Sequence, residues 1–510
     1  MPQEIELKLS LSPDAASRLG RNPLVRSLTQ RRSKAQQLVS VYFDTPDHKL
    51  AANGMGLRVR RLGAKRIQTL KAAVDATTGL QVHQEIETEI AADMPDLTLV
   101  EDEPLKQFLE VNRIGPELHP VFVTEFERRS WLLTMFDSEI ELALDIGEIR
   151  SDGRRMALRE AELELRSGKP ERLYELALAL HATVPFTLEA RTKSARGYAL
   201  RSGARPEPQR ALPVRLDAAA SAAQAFAAIA RTCMVQLRAN EEAARLGEDP
   251  EGIHQMRVAV RRLRALLGIY RDATDGKAHA YLSAELRWLQ QQLGPARDWD
   301  VFIEDTLEPL HRRLGTELAV ETLRREAKQL RDAAYRTAAA AMAAPRYTEF
   351  LLKLGLLIDG GGWIPQEAPP SAGVDAFARA MLQRRHKRLR KYGGRHADLT
   401  ESELHRLRLL GKKMRYAVEF FRDLYPRKAA KRYHTALVEI QETLGSLNDA
   451  AVSRQLVVEL ERRMASSAPA LTPRAVGLVL GWQAARIDGD LRRFGEVWAR
   501  FADAKPFWPR

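Results

Sequence analysis

The sequence predicts a multidomain molecule of two unlike parts. Residues 1–200 read as an α+β part built round an antiparallel β-barrel of about eight strands, and residues 214–510 as an all-α part made of duplicated helical bundles. Three observations predict this. Over residues 1–200, apolar and polar side chains alternate with the period of a strand. From about Asp217 onward the apolar residues recur at helical spacing instead. Charge is also divided: of 80 Lys and Arg and 67 Asp and Glu, residues 1–210 hold 31 of each, leaving 49 basic and 36 acidic residues to the remainder. One part is balanced; the other attracts an anion.

With 510 residues, the length favours roughly two to four domains. The composition, 45% apolar and 29% charged, is that of a globular protein. No apolar run approaches a membrane span, and the acidic, alternating N-terminus does not read as a signal peptide, so a cytoplasmic protein is expected. The single cysteine, Cys233, excludes an intrachain disulfide and a cysteine-based zinc site. The chain has no G-x-x-x-x-G-K-[ST] loop and no G-x-G-x-x-G fingerprint, nor a Cys-His or Ser-His-Asp pattern for covalent catalysis.

The first strand carries Glu4-Ile5-Glu6-Leu7-Lys8, so Glu4, Glu6 and Lys8 share one face and Ile5 and Leu7 the other. Further strand-like runs are Val39–Asp44, Met55–Arg61, Arg66–Ala72, Gln81–Ile90, Val121–Arg128, Trp131–Phe136, Glu139–Gly147 and Met156–Arg166. Helical patterns are short and peripheral, at Pro13–Leu19 and Pro170–Leu180. On the strand faces, Arg58 stands with Arg60, Glu85 with Glu87, Glu139 with Glu141 and Asp145, and Glu160 with Glu162 and Glu164; Lys71 follows from the neighbouring strand. Any one pair is most simply a cross-strand ion pair in water. Together they suit phosphates gripped by Arg and Lys beside a divalent metal held by carboxylates, the pattern of phosphoryl chemistry.

Taken in order, Glu4-x-Glu6-x-Lys8, Tyr42-Phe43-Asp44-Thr45-Pro46-Asp47, Gly56-Leu57-Arg58-Val59-Arg60, Thr69-Leu70-Lys71, the Glu139–Asp145 run, Glu160-x-Glu162-x-Glu164 and Lys193-Ser194-Ala195-Arg196-Gly197-Tyr198 resemble the CYTH domain of the triphosphate tunnel metalloenzymes. The resemblance implies an eight-stranded antiparallel tunnel. It makes Lys8, Arg58, Arg60, Lys71, Arg128 and Lys193 triphosphate contacts, and Glu4, Glu6, Asp145, Glu162 and Glu164 ligands of Mg²⁺ or Mn²⁺. Glu4, Glu6 and Lys8 form the catalytic group. Two features depart from simple expectation: His83-Gln84 stands where many members carry an arginine, and strand alternation puts Phe126 on the same face as Arg128.

A polar, proline-rich linker follows at residues 201–213. Beyond it, two helical copies are expected at about 217–358 and 370–510, divided by Gly360-Gly361-Gly362 and Pro365–Pro370. Asp249-Pro250 and Thr400 with Glu403 begin matching helices. His254, Arg257, Arg261 and Arg264 then fall on one stripe, as do His405, Arg408, Lys412 and Arg415. Leu293-Gly294-Pro295-Ala296-Arg297-Asp298 matches Leu444-Gly445-Ser446-Leu447-Asn448-Asp449, and the offset is 151 residues in both motifs. A single such stripe reads equally well as a solvated face. The repeated one favours a shared binding surface. These paired motifs resemble the CHAD domain, which implies two four-helix bundles about a pseudo-twofold and a basic groove for inorganic polyphosphate, the eight stripe residues being its contacts.

The expected activity is metal-dependent hydrolysis of inorganic triphosphate to diphosphate and phosphate, with polyphosphate held by the helical part, and association with polyphosphate granules as an extension of that reading. Alternatives are an organic triphosphate enzyme (a thiamine triphosphatase, an ATPase or a class IV adenylate cyclase) and a non-catalytic scaffold for polyphosphate or nucleic acid. Nucleic acid ranks second as a partner, because aromatics make up only 6% of the chain and do not interleave with the basic stripes.

Overall fold

The structure is a computed structural model that describes residues 3–32, 34–76, 80–315, 317–361, 373–394 and 399–509. Gly362 and the Pro365–Pro370 run, part of the segment expected to divide the helical copies, lie outside the described residues. The chain forms two compact units, Met1–Pro206 with Ala343–Gly360, and Glu207–Met342 with Gly361–Arg510.

The first unit has ten strands: β1 (Gln3–Leu11), β2 (Thr29–Arg32), β3 (Gln36–Asp44), β4 (Met55–Leu62), β5 (Lys65–Ala76), β6 (Leu80–Ile90), β7 (His119–Met135), β8 (Ser138–Ser151), β9 (Arg154–Ser167) and β10 (Phe186–Leu188). Eight of them run β1-β6-β5-β4-β3-β7-β8-β9 and close where β9 pairs with β1; β2 and β10 are short additions on β7 and β1. Every pairing is antiparallel. The runs Val121–Arg128 and Trp131–Phe136 are one strand, β7, which ends before Phe136 turns the chain at φ 54°. That merger reduces the predicted runs to the eight that close.

Closure sends one face of each strand inward. On the outer face of β3, β4 and β5, Val41, Phe43, Leu57, Val59 and Leu70 pack against Leu50, Ile114 and the helix Glu103–Val111. The helix Lys193–Ser202 packs on β7, β8 and β9. Its Gly197 lies flat against Phe122, where a β-carbon would stand 2.2 Å from the ring. Pro345–Gly360, which the sequence places at the end of the first helical copy, packs in this unit against Glu171–His181, with the Tyr174 hydroxyl donating to Asp359 at 2.9 Å.

The second unit repeats a four-helix order. Ala222–Ala239, Pro250–Ile269, Gly276–Phe302 and Leu318–Ala343 are followed by Val374–Gly393, Glu401–Phe421, Arg427–Ser467 and Thr472–Asp503. In the first copy, the third helix breaks into a π-helical turn at Ile303–Leu307; in the second it runs unbroken. The caps form as the sequence predicts: Asp249 accepts from the Glu251 amide, and Thr400 with Glu403 closes a capping box. Among the described residues, no helix is long and apolar enough to cross a membrane.

Candidate functional site

The barrel encloses a cavity of about 580 Å³, and strand alternation decides its lining. Glu4, Glu6 and Lys8 enter from β1, Arg58 and Arg60 from β4, Lys71 from β5, Glu85 and Glu87 from β6, Arg128 from β7, and Glu162 and Glu164 from β9; Lys193 enters from its helix. Of the eleven predicted residues, ten line this cavity. The eleventh, Asp145, is fully buried beneath it, bonded to Arg128 at 2.6 and 2.7 Å and to Lys193 at 2.8 Å.

Cations and carboxylates alternate. Lys8 lies 2.7 Å from both Glu6 and Glu162. Lys71 lies 2.7 Å from Glu4 and 2.8 Å from Glu85, and Arg58 reaches Glu85 at 3.2 Å. Arg128 meets Glu162 at 2.5 Å, and Lys193 meets it at 2.9 Å. Burial alone would discharge these groups. It works against the Lys8 ammonium, yet Glu162, Glu6 and Glu160 hold its pKa well above the usual lysine value. It works equally against the Glu162 carboxylate, which Lys193, Lys8 and Arg128 hold well below the usual range.

Two groups depart from that pattern. Burial, with Arg58 and Arg128 close by, lowers the Arg60 guanidinium to about 10, and its hydrogen-bond partner is a neutral one, the Ser40 hydroxyl at 3.3 Å. Burial and the Glu4 carboxylate push Glu164 up to about 7, against the opposing pull of Arg166 at 2.5 Å. A cation whose bonded partner is a neutral hydroxyl marks a place for an added anion.

Phe126 is where strand parity puts it: no register shift intervenes before Arg128. Its ring lies 5.7 Å beneath the Arg128 guanidinium and 5.2 Å from the Lys193 ammonium, so it supports both cations by cation–π contact. His83 lines the cavity 3.7 Å from Glu6. Tyr42 and Tyr198 also line it, with no site role predicted for either. Tyr42 stacks on Phe122 at 4.4 Å, and the Tyr198 hydroxyl donates to Asp44 at 2.7 Å. Asp44 is buried and accepts from the Thr45, Leu50 and Ala51 amides as well. This explains the Tyr42–Asp47 motif as an anchor for the Lys193–Ser202 helix.

The carboxylates of Asp145, Glu160 and Glu162 bring oxygens within 4.8 Å of one another. All-oxygen donors of this kind suit a hard divalent cation such as Mg²⁺ or Mn²⁺. The same oxygens are engaged by Lys193 and Arg128, as Glu4 is by Lys71 and Glu164 by Arg166 at 2.5 Å. The all-carboxylate donor set fits a metal.

The second unit holds a groove of about 1000 Å³. His254, Arg257, Arg261 and Arg264 line it from one copy, and His405, Arg408 and Lys412 from the other. Arg415 is not among the lining residues: its guanidinium lies 5.0 Å over the Tyr416 ring, and Lys413 lines the wall instead. Arg262, the equivalent of Lys413, is 1% exposed and bridges the copies through Glu419 at 3.0 Å. The aspartates of the second repeated motif, Asp298 and Asp449, face the same groove, Asp298 pairing with Arg257 at 3.3 Å. The side chains of Leu447 and Asn448 in that motif lie outside the described residues. Burial, Arg297 and neighbouring arginines lower His254 to about 4, so it is neutral at physiological pH. Burial with Arg408 and Arg261 lowers Lys412 to about 7.

Family models match the chain as a CYTH domain over residues 2–198 and a CHAD domain over residues 228–458. The chain joins a CYTH domain to a CHAD domain. The CHAD half is similar to the crystal structure of the CHAD domain from the plant Ricinus communis, at 32% identity and a TM-score of 0.51, covering 60% of this chain and 99% of that one. The chain is 32% identical over 209 residues to an inorganic triphosphatase of Haemophilus influenzae, covering 40% of this chain and 56% of that protein. It thus spans little more than half the length of that relative. It is also 25% identical over 464 residues to an uncharacterized protein of Mycobacterium tuberculosis, covering 84% of this chain and 83% of the relative.

Proposed function

We propose that the CYTH domain hydrolyses inorganic triphosphate to diphosphate and phosphate with Mg²⁺ or Mn²⁺, and that the CHAD domain binds inorganic polyphosphate. The observation that carries the first half is the cavity's charge pattern: seven cations, Arg166 among them, converge on one volume, and Arg60 has no carboxylate within ion-pair distance among the described residues. The similarity to the H. influenzae inorganic triphosphatase supports the same reading.

Apart from Arg60 the network is self-neutralised, so binding is mainly an exchange of partners. Arg58, Lys71, Arg128, Lys8 and Lys193 pass from carboxylates to phosphate oxygens, and Arg60 from the Ser40 hydroxyl; Glu4 and Glu6, now paired with ammonium groups, and Glu164, now paired with the Arg166 guanidinium, would hold the metal. A bound divalent cation would neutralise phosphate charge and help order the attacking water. The protein's share is position: the cations hold a triphosphate in line, and Lys8, 2.7 Å from Glu6, ties the phosphate end of the site to the carboxylate end. Preference for an inorganic substrate follows from the aromatics. The Tyr42 ring is stacked on Phe122, and Tyr198 packs edge-on to Phe122 at 5.2 Å with its hydroxyl committed to Asp44. Neither tyrosine is available to hold an adenine or thiazolium ring.

Phosphate release from inorganic triphosphate, thiamine triphosphate, ATP and long-chain polyphosphate, each with Mg²⁺, Mn²⁺ or chelator, tests the proposal. Metal-dependent turnover of inorganic triphosphate well above the organic substrates is expected. No turnover in any condition, from protein that binds polyphosphate, would leave the domain a scaffold.

A further inference from the structure

The CHAD groove is not the end of this unit's basic surface. Arg264 and Lys413 form part of its wall, one from each copy. Beside Arg264 stands Arg287 from Gly276–Phe302, and beside Lys413 stand Arg385 and Arg388 from Val374–Gly393, a helix that contributes none of the described lining residues. The Arg385 guanidinium donates to the Lys413 carbonyl at 2.6 Å, which fixes this helix's basic face to the groove wall.

The two regions differ in how their charge is compensated. In the groove, Asp298 and Asp449 act on Arg257, and Asp449 on Arg408 and Lys412. Along the strip of Arg264, Arg287, Arg385, Arg388 and Lys413, no carboxylate comes within ion-pair distance among the described residues. Burial and neighbouring arginines lower Arg385 to about 10, and burial with Arg385, Arg388 and Arg264 lowers Lys413. Arg264, Arg287, Arg388 and Lys413 are exposed. Such like-charge crowding is unfavourable until an external anion lies across it. The five strip residues are all Arg or Lys, which suits a polyphosphate better than a single-stranded nucleic acid held by base stacking.

We propose that this strip is an outer binding track that continues the CHAD groove, so that a long polyphosphate is held by the groove and the track together while a short one is held by the groove alone. The proposal rests on the polyphosphate reading of the groove. It predicts a dependence on chain length that the groove by itself does not supply.

The test measures affinity of the full chain for linear octaphosphate and for long-chain polyphosphate, in chelator and across a salt series. The variants are Arg385→Gln with Arg388→Gln, the exposed Arg388→Gln alone, and Arg257→Glu with Arg408→Glu. The double Gln variant is expected to bind octaphosphate as the unaltered chain does, which also shows the groove intact. It is expected to lose about tenfold for long chains, with a salt slope smaller by about two. Arg388→Gln alone should show the same selectivity at reduced size. Equal loss at both lengths, or none at either, overturns the track and leaves the groove reading standing. Failure of the unaltered chain to bind either probe overturns the groove reading and the track with it. Single-stranded RNA of matched charge is the last arm: if the Gln variants lose RNA but keep long polyphosphate, the strip serves nucleic acid and the proposal fails.

Discussion

At the scale of single residues, the two sites are built on incomplete compensation. Arg60 is the clearest case. Its neighbours Arg58 and Arg128 are cations, its bonded partner is a neutral hydroxyl, and it is half-buried in the cavity wall. A half-buried charge left in that condition is costly, and a phosphate oxygen relieves the cost. Arg60→Ala should therefore raise KM for inorganic triphosphate by about 10- to 100-fold, the loss of one charged hydrogen bond, while the melting temperature holds or rises. A lowered melting temperature with unchanged KM would make Arg60 a structural residue. Lys412 gives a pH signature for the other domain. Its ammonium titrates near 7 because of burial, Arg408 and Arg261, and a polyanion binds the protonated form more tightly. Polyphosphate affinity should fall as pH rises through 7 and beyond, and the salt slope should shrink by about one. Lys412→Gln should remove that pH dependence; a pH profile unaltered in the variant would assign it to another group.

At the scale of elements, strand alternation made most of the cavity legible from sequence. Period-two patterns place Glu4, Glu6 and Lys8, or Arg58 and Arg60, on one face whatever the rest of the chain does, and closure of β9 on β1 turns that face inward. Two runs that proved to be one strand could not be merged from sequence, because Arg129 and Ser130 interrupt the apolar alternation without breaking the ladder to β8. The Lys193–Ser202 helix was invisible as an element: it is short, and its buried face consists of Lys193, Arg196 and Gly197, which satisfy charges and fit a ring instead of forming an apolar stripe. Parity within helices was less reliable than within strands. The stripes at His254 and His405 share an offset, yet Arg264 lines the groove and its equivalent Arg415 does not, because packing between the copies buries Arg262 and exposes Lys413. The helix that seats Lys193 gives the element-scale prediction. Gly197 has Phe122 carbons at 2.2, 2.4 and 2.5 Å from where a β-carbon would stand. Gly197→Val must push the helix off β7 and carry Lys193 away from Asp145 and Glu162. We expect a destabilisation of about 1–3 kcal/mol and loss of triphosphate turnover, with polyphosphate binding retained. Normal turnover in this variant would show that Lys193 is not needed at its observed position.

At the scale of the whole molecule, the division of charge seen in the sequence recurs in the two sites. The CYTH cavity holds carboxylates and cations in near balance, which suits a small anion that arrives with a metal; the CHAD groove carries an excess of cations, which suits a long anion that binds without turnover. If the two domains act separately, a lesion in one should spare the other. Glu6→Gln removes the charge that faces Lys8 and His83 but keeps the side chain's volume. It should lower triphosphate turnover by at least about a hundredfold with polyphosphate affinity unchanged. Arg257→Glu with Arg408→Glu reverses two groove cations that stand at equivalent places in the copies and should abolish polyphosphate binding with triphosphate turnover unchanged. Each protein is to be assayed for both activities at one ionic strength, since the salt dependence of the groove would otherwise imitate a mutational effect. Loss of both activities from either variant, in protein whose melting temperature is unaltered, would mean that the domains are coupled and that the groove takes part in feeding or gating the cavity.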